Sequence, residues 1–228
     1  MDGWTDGRMA AWWRLAVYAA VLPSAHPPIR QSVDPWPSLD HASAAFQAVH
    51  TLAADFVQVI TNPMIGDPDT TRGRLFQQRP GRFAMRFRDP AGDRIVADGR
   101  YLWLYTPSTT PGQVIRGRIP DTGGTGPNLI GQFVERPRER YTARYVRGDS
   151  TVTGWVDVVA LTPRDTSLPY SAAVLSVARE DGLVRSIEIS ETSGQQRVIL
   201  LRSLQVNIAV PSREFRFAVP AGVTVVDQ

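Results

Sequence analysis

Residues 74–107 read RLFQQRP, GRFAMRFRDP, AGDRIVADG and RYLWLYTP in succession, and the fold turns on how this stretch alternates. Phe83, Met85 and Phe87 fall on one side of a strand, with Ala84, Arg86 and Arg88 on the other, because successive strand side chains point to opposite faces. One face of that strand is expected to be apolar and the other wet. Asp98-Gly99 is a turn dipeptide; beyond it Tyr101, Trp103 and Tyr105 share one face while Leu102 and Leu104 share the opposite one. A strand apolar on both sides should be covered on both.

Outward from this stretch the strand pattern persists. Residues 53–61, with Phe56 alternating against Asp55 and Val57, form a strand before it, and residues 113–119 form a short one after it. Further strands are expected over 140–147, 152–161, 172–179, 183–191 and 197–206, separated by turns at Gly148-Asp149, Asp181-Gly182 and Ser193-Gly194. Connections this short force antiparallel neighbours. A helix is predicted over 42–52 from the spacing of Phe46, Val49 and Leu52, with Ser38 and Asp40 as its caps. Asp121-Thr-Gly-Gly-Thr-Gly126 and Asn128 read as a flexible loop feeding a short amphipathic helix with Leu129, Ile130, Phe133 and Val134. That loop lacks the lysine and hydroxyl ending of nucleotide loops. Ser212 opens a helical turn ahead of a closing strand over 215–220. The fold class is mainly β (α+β): an incomplete, strongly curved antiparallel β-barrel of about ten strands, with short helices forming a lid over an apolar cavity.

At the other end, residues 1–37 read as an export signal and linker, leaving a single domain over 38–228. Arg8 or Arg14 precedes an apolar run over 15–22 that is far shorter than the roughly 20 residues a bilayer span needs, and Pro23-Ser24-Ala25 follows as a small-residue break. Pro27, Pro28, Pro35 and Pro37 make the linker extended.

Composition narrows the function. A chain of 228 residues, 43% hydrophobic and 21% charged, is a globular protein. All 25 basic residues are arginine, but they are interleaved with acids and form no stripe, so no nucleic-acid surface is expected. The lack of cysteine excludes disulfides, thiolate metal sites, a catalytic thiol and a lipidated cysteine. His26, His41 and His50 have no metal spacing, no Gly-x-Ser-x-Gly elbow occurs, and the neighbouring carboxylates Glu180-Asp181 and Asp67/Asp69 sit in turns. No enzyme, cofactor or metal is therefore expected.

What remains is an apolar stripe: Phe56, Phe76, Phe83, Met85, Phe87, Trp103, Tyr105, Leu129, Ile130 and Phe133. It is either plain core or the lining of a ligand cavity. A curved sheet with too little helix to fill it tends to enclose a cavity, and a methionine among large aromatics fits an adaptable apolar ligand.

Two blocks resemble one family. Arg79-Pro80, Phe83 three residues on, Asp89-Pro90 and Ile95-Val96-x-Asp98-Gly99-x-x-Leu102-Trp103-x-Tyr105, followed far downstream by Phe215-x-Phe217-x-x-Pro220-x-Gly222-Val223-x-Val225, look like the LolA family over residues 46–228. The resemblance implies a monomeric periplasmic carrier of a Gram-negative bacterium that binds the acyl groups of triacylated lipoproteins in the cavity. It would take them from an inner-membrane ABC-type lipoprotein-releasing complex and pass them to an outer-membrane lipoprotein receptor. It also implies that Arg79 reaches backbone carbonyls of the lid helices and holds the empty carrier closed, a task that fits the rigid donor fork of a guanidinium. Gly81-Arg82 departs from the family pattern and sets a second arginine beside the first. Two rival functions share this fold: a carrier of another lipid or glycolipid, and a non-enzymatic interaction or signalling module with a filled core.

Overall fold

Strand pairing follows the hairpin turns. The computed structural model describes residues 33–64, 66–119 and 128–228; the expected export signal and the Asp121–Gly126 part of the loop lie outside them. Helix α1 (Trp36–Ala48) leads into β1 (Thr51–Thr61), β2 (Asp69–Gln78), β3 (Arg82–Asp89), β4 (Ala91–Asp98), β5 (Tyr101–Tyr105) and β6 (Gln113–Arg118). Two single-turn helices, α2 (Gly131–Val134) and α3 (Pro137–Arg140), precede β7 (Tyr141–Thr151), β8 (Gly154–Pro163), β9 (Tyr170–Ala178), β10 (Val184–Glu191) and β11 (Gln196–Val206). A 3₁₀ turn (Ser212–Phe215) and β12 (Thr224–Asp227) end the chain. Among the described residues all twelve strands form one curved, unclosed sheet in the order β12-β6-β5-β4-β3-β2-β1-β11-β10-β9-β8-β7. Every pairing is antiparallel except β12 with β6. Residues Val33–Gln228 make one compact unit.

Local chemistry explains the turns. Gly99 takes a φ of 99°, open to glycine at little cost, and Asp98 Oδ1 accepts from the Arg100 amide (2.8 Å) and the Tyr101 amide (2.7 Å). Burial opposes ionisation of Asp98, but these amides and the Trp103 indole hold its carboxyl below the usual range. Gly73 is needed for a different reason: a Cβ there would collide with the Arg86 carbonyl and lie 2.8 Å from the Phe56 ring.

Four expectations change. Gly148-Asp149 lies within β7; the turn is at Val152-Thr153, where Gly154 has a φ of 110° and the Thr151 hydroxyl donates to the Gly154 carbonyl at 2.8 Å. Helix α1 begins at Trp36, with Pro37 in its first turn where no N–H is required. Ser38 and Asp40 are consequently inside it and cap nothing: the Ser38 hydroxyl donates to Asp157 Oδ2 (2.8 Å) and Asp40 pairs with Arg138 (2.6 Å). Leu52 belongs to β1. The closing strand is β12, not residues 215–220, because Phe215 and Phe217 turn into a cluster on the sheet.

Register decides which side chains meet. Phe76 faces Ala84, Ala84 faces Val96 and Val96 faces Trp103 across successive ladders, so all four share one side of the sheet. Leu75, Met85, Ile95 and Leu104 run in parallel on the other. Leu75, Met85 and Ile95 of the second row join the main core with α1 and α2, including Leu39, Phe46, Ile130 and Phe133. The first row is roofed by the C-terminal segment through Phe215, Phe217, Val223 and Val225. The face of β3 expected to be wet is covered only in part: Ala84 is fully buried and Arg86 Nε pairs at 2.8 Å with buried Glu214, while Arg88 stays exposed. Strand β5 packs on both faces, Leu102 against the main core and Tyr101, Trp103 and Tyr105 with the C-terminal segment, with Trp103 the one buried side chain of the five.

Candidate functional site

The apolar concavity lies between the sheet and its helices. Phe56, Phe83 and Met85 are buried in it, Phe87 is partly buried, and Phe56 meets Phe87 edge-to-face with ring centroids 5.1 Å apart. Ile130 and Phe133 are buried against the same core from the α2 side, with Leu129 partly buried beside them. These seven of the expected stripe come together. Phe76, Trp103 and Tyr105 do not: they lie across the sheet under the C-terminal segment, where Trp103 stacks on Phe217 at 5.3 Å and its indole donates to Asp98 at 3.0 Å. Counting aromatics along the chain merges two faces that the hairpin register separates.

Among the described residues, a void of about 10 Å³ lies beneath α1, between Phe46, Leu52, Ile130, Leu183 and Leu204, about the volume of a single water molecule.

Helix α1 is tied at both ends. At its C-terminal end Arg79 Nη1 donates to the Phe46 carbonyl (3.0 Å) and the Gln47 carbonyl (3.4 Å), and the guanidinium lies 4.9 Å over the Phe46 ring. Arg79 Nη2 stands 3.8 Å from Glu135, which ends α2, so one side chain touches both helices. The Arg79 amide also donates to the His50 carbonyl at 2.9 Å, fixing the backbone from which the side chain reaches. Arg82 is exposed. At the N-terminal end Ser38 and Asp40 hold α1 to β8 and α3, and Arg138 covers the Trp36 ring at 4.6 Å.

Asp157 is a hub that the sequence did not signal. It accepts from the Ser38 hydroxyl, from the Tyr145 hydroxyl at 3.0 Å and from Arg179 Nε at 2.8 Å. Burial opposes its charge, but Arg179, Ser38 and Tyr145 outweigh that and hold its carboxyl below the usual range. A carboxyl depressed in the folded state contributes stability that is present above its unfolded value and is lost as pH falls through the folded one. The window is therefore acid, below about pH 4. Asp157→Asn is expected to cost about 1 kcal/mol at neutral pH and to flatten the acid fall in the urea midpoint. Parallel wild-type and variant midpoints from pH 6 to pH 2.5 would remove Asp157 from that role.

Among the described residues no cluster of three or more His, Asp or Glu side chains is placed to hold a metal, and no helix is long and apolar enough to cross a membrane.

A curved half-barrel with an apolar interior and short helices hydrogen-bonded over it defines the class: a LolA-like fold closed by a lid. The profile of the family described as outer membrane lipoprotein carrier protein LolA matches residues 47–218, and the chain belongs to that family. It is similar to the outer-membrane lipoprotein carrier protein of Methylobacillus flagellatus, 25% identical over 83% of this chain and 89% of the relative. It is also similar to that of Albidiferax ferrireducens, 29% identical over 80% of this chain and 87% of the relative. In fold alone it resembles an uncharacterized conserved protein from Thermus thermophilus, with a TM-score of 0.53, 12% identity, and coverage of 85% of this chain and 98% of that one.

Proposed function

We propose that this chain is a carrier of outer-membrane lipoproteins that takes up their acyl chains between the sheet and the lid helices. The observation that carries the reading is Arg79, which grips the last-turn carbonyls of α1 and faces Glu135 of α2 over an apolar interior, in a member of the LolA family. The relatives are named carriers of outer-membrane lipoproteins, and the same cargo class fits this interior. Binding is by apolar burial: an acyl chain of about 16 carbons, at about 0.8 kcal/mol per methylene, contributes on the order of 13 kcal/mol before ordering costs. Phe46, Ile130 and Phe133 occupy that space when the lid is down, so they must leave it for a chain to enter. The displacement lowers net affinity, as release requires.

In this reading Phe56, Phe83, Met85, Phe87, Leu129, Ile130 and Phe133 contact the acyl chains, and Arg79 holds the empty lid. Residues 1–37 serve as export signal and linker, residues 38–228 work as one domain in the periplasm, and the protein is a monomer. An inner-membrane ATP-driven complex loads it and an outer-membrane receptor unloads it. No step calls for catalysis or a cofactor.

The small void favours one second reading, an interaction module with a filled core. Native mass spectrometry of protein isolated from the periplasm of a Gram-negative host without detergent separates the two. A population carrying a triacylated lipoprotein, or uptake of a triacylated lipopeptide, is expected. A bare mass under every loading condition would overturn the carrier reading, and a bound glycolipid would change its cargo.

A further inference from the structure

The main core contains two hydroxyls that apolar packing does not call for. Tyr141, first residue of β7, is fully buried, and Tyr170, first residue of β9, nearly so. The Tyr141 hydroxyl donates to the Gln132 carbonyl of α2 at 2.8 Å and lies 2.7 Å from the Tyr170 hydroxyl. A phenol has one proton, and since Tyr141 gives its own to Gln132, Tyr170 donates to Tyr141. Phe133, the next residue on α2, packs against both rings at centroid distances of 6.2 and 5.7 Å. The α2 turn is thus held from β7 and β9 as well as by Arg79, which follows β2. Burial pushes the Tyr141 hydroxyl up, so it stays a donor at every working pH.

We infer that Tyr141 is a carbonyl donor for the cargo: when α2 lifts, its hydroxyl exchanges the Gln132 carbonyl for an acyl ester carbonyl of the bound lipid. This rests on the carrier reading and deepens it. Lifting α2 removes the only carbonyl that the tyrosine pair meets among the described residues; the two hydroxyls keep one bond between them, and one of their two protons is left unpaired in an apolar cavity, a state that proteins avoid. An acyl chain has no polar atom to replace it, but the ester at its head does, and that carbonyl is the same kind of acceptor as Gln132 O. Tyr170, donating to the Tyr141 oxygen, keeps the phenol oriented and strengthens its proton as a donor. The exchange gives the site a preference for esterified chains that hydrophobic burial alone cannot supply, since burial is non-directional.

The test is a two-by-two comparison. Wild type and Tyr141→Phe are titrated with a lipopeptide whose S-glyceryl cysteine carries two palmitoyl esters, and with the same peptide bearing two hexadecyl chains through ether bonds. Wild type is expected to bind the ester about five- to tenfold more tightly, and Tyr141→Phe, which keeps the ring, to bind both alike. Equal binding of the two by wild type overturns the inference even if the variant fails to fold, and so does an undiminished ester preference in Tyr141→Phe. Both outcomes leave the carrier reading standing. Failure of wild type to bind either lipopeptide overturns both.

Discussion

Alanine in place of Arg79 is expected to raise the apparent affinity for a lipopeptide about tenfold, with a range of roughly five- to thirtyfold. The side chain makes two charge-assisted bonds to α1 carbonyls, at 3.0 and 3.4 Å, and a long ion pair to Glu135 at 3.8 Å. It is about one-third exposed, so water screens these contacts and their net worth is about 1–2 kcal/mol. In the proposed carrier reading that energy favours the closed lid alone. A ligand that enters only the open state sees its affinity reduced by the fraction of protein that is open, and removing a contact specific to the closed state returns that fraction. Faster hydrogen exchange in α1 should accompany the gain. Arg79→Lys should fall between wild type and alanine, because an ammonium keeps the charge but not the two-pronged donor geometry. Unchanged affinity and unchanged exchange in Arg79→Ala would leave Arg79 as a structural arginine only.

Phe215→Ala is expected to cost about 3–5 kcal/mol of stability, as burial of a fully enclosed phenylalanine implies. The ring is 2% exposed and centres the second cluster, packed with Ala84, Val96, Trp103 and Val114. For a chain of this size the melting temperature should fall by roughly 8–15 °C. Lipopeptide binding by the protein that remains folded should not change, because the sheet separates Phe215 from the concave core. A loss of binding in folded Phe215→Ala would instead make the C-terminal roof part of the ligand site. The opposite pattern is expected of residues on the concave side, so the pair of measurements assigns the two faces.

Much of the architecture is legible along the chain. Period-two alternation places the strands, Asp98-Gly99, Asp181-Gly182 and Ser193-Gly194 place three turns, and the two-sided strand at Tyr101–Tyr105 correctly demands cover on both faces. Arg79 stands out in the sequence only by resemblance; its reach to Phe46 and Gln47 depends on where α1 ends, which spacing does not state. Gly148-Asp149 misleads because a turn dipeptide tolerates a strand when its neighbours pair, and β7 is paired to β8 throughout.

What the sequence alone determined is local: which residues alternate and where the backbone reverses, since these depend on neighbours a few positions apart. Only the tertiary structure decided which side of each strand became the concavity. Phe76 and Phe83 are both aromatic and near each other in sequence, yet cross-strand register sends one beneath the C-terminal roof and the other beneath the lid. Asp157, Tyr141 and Tyr170 follow the same rule. Each acts through a partner from another part of the chain, Ser38 for the first and Gln132 for the tyrosine pair. Such meetings depend on packing of the whole sheet, because a hydrogen bond forms only where folding has already brought its two ends within about 3 Å of each other.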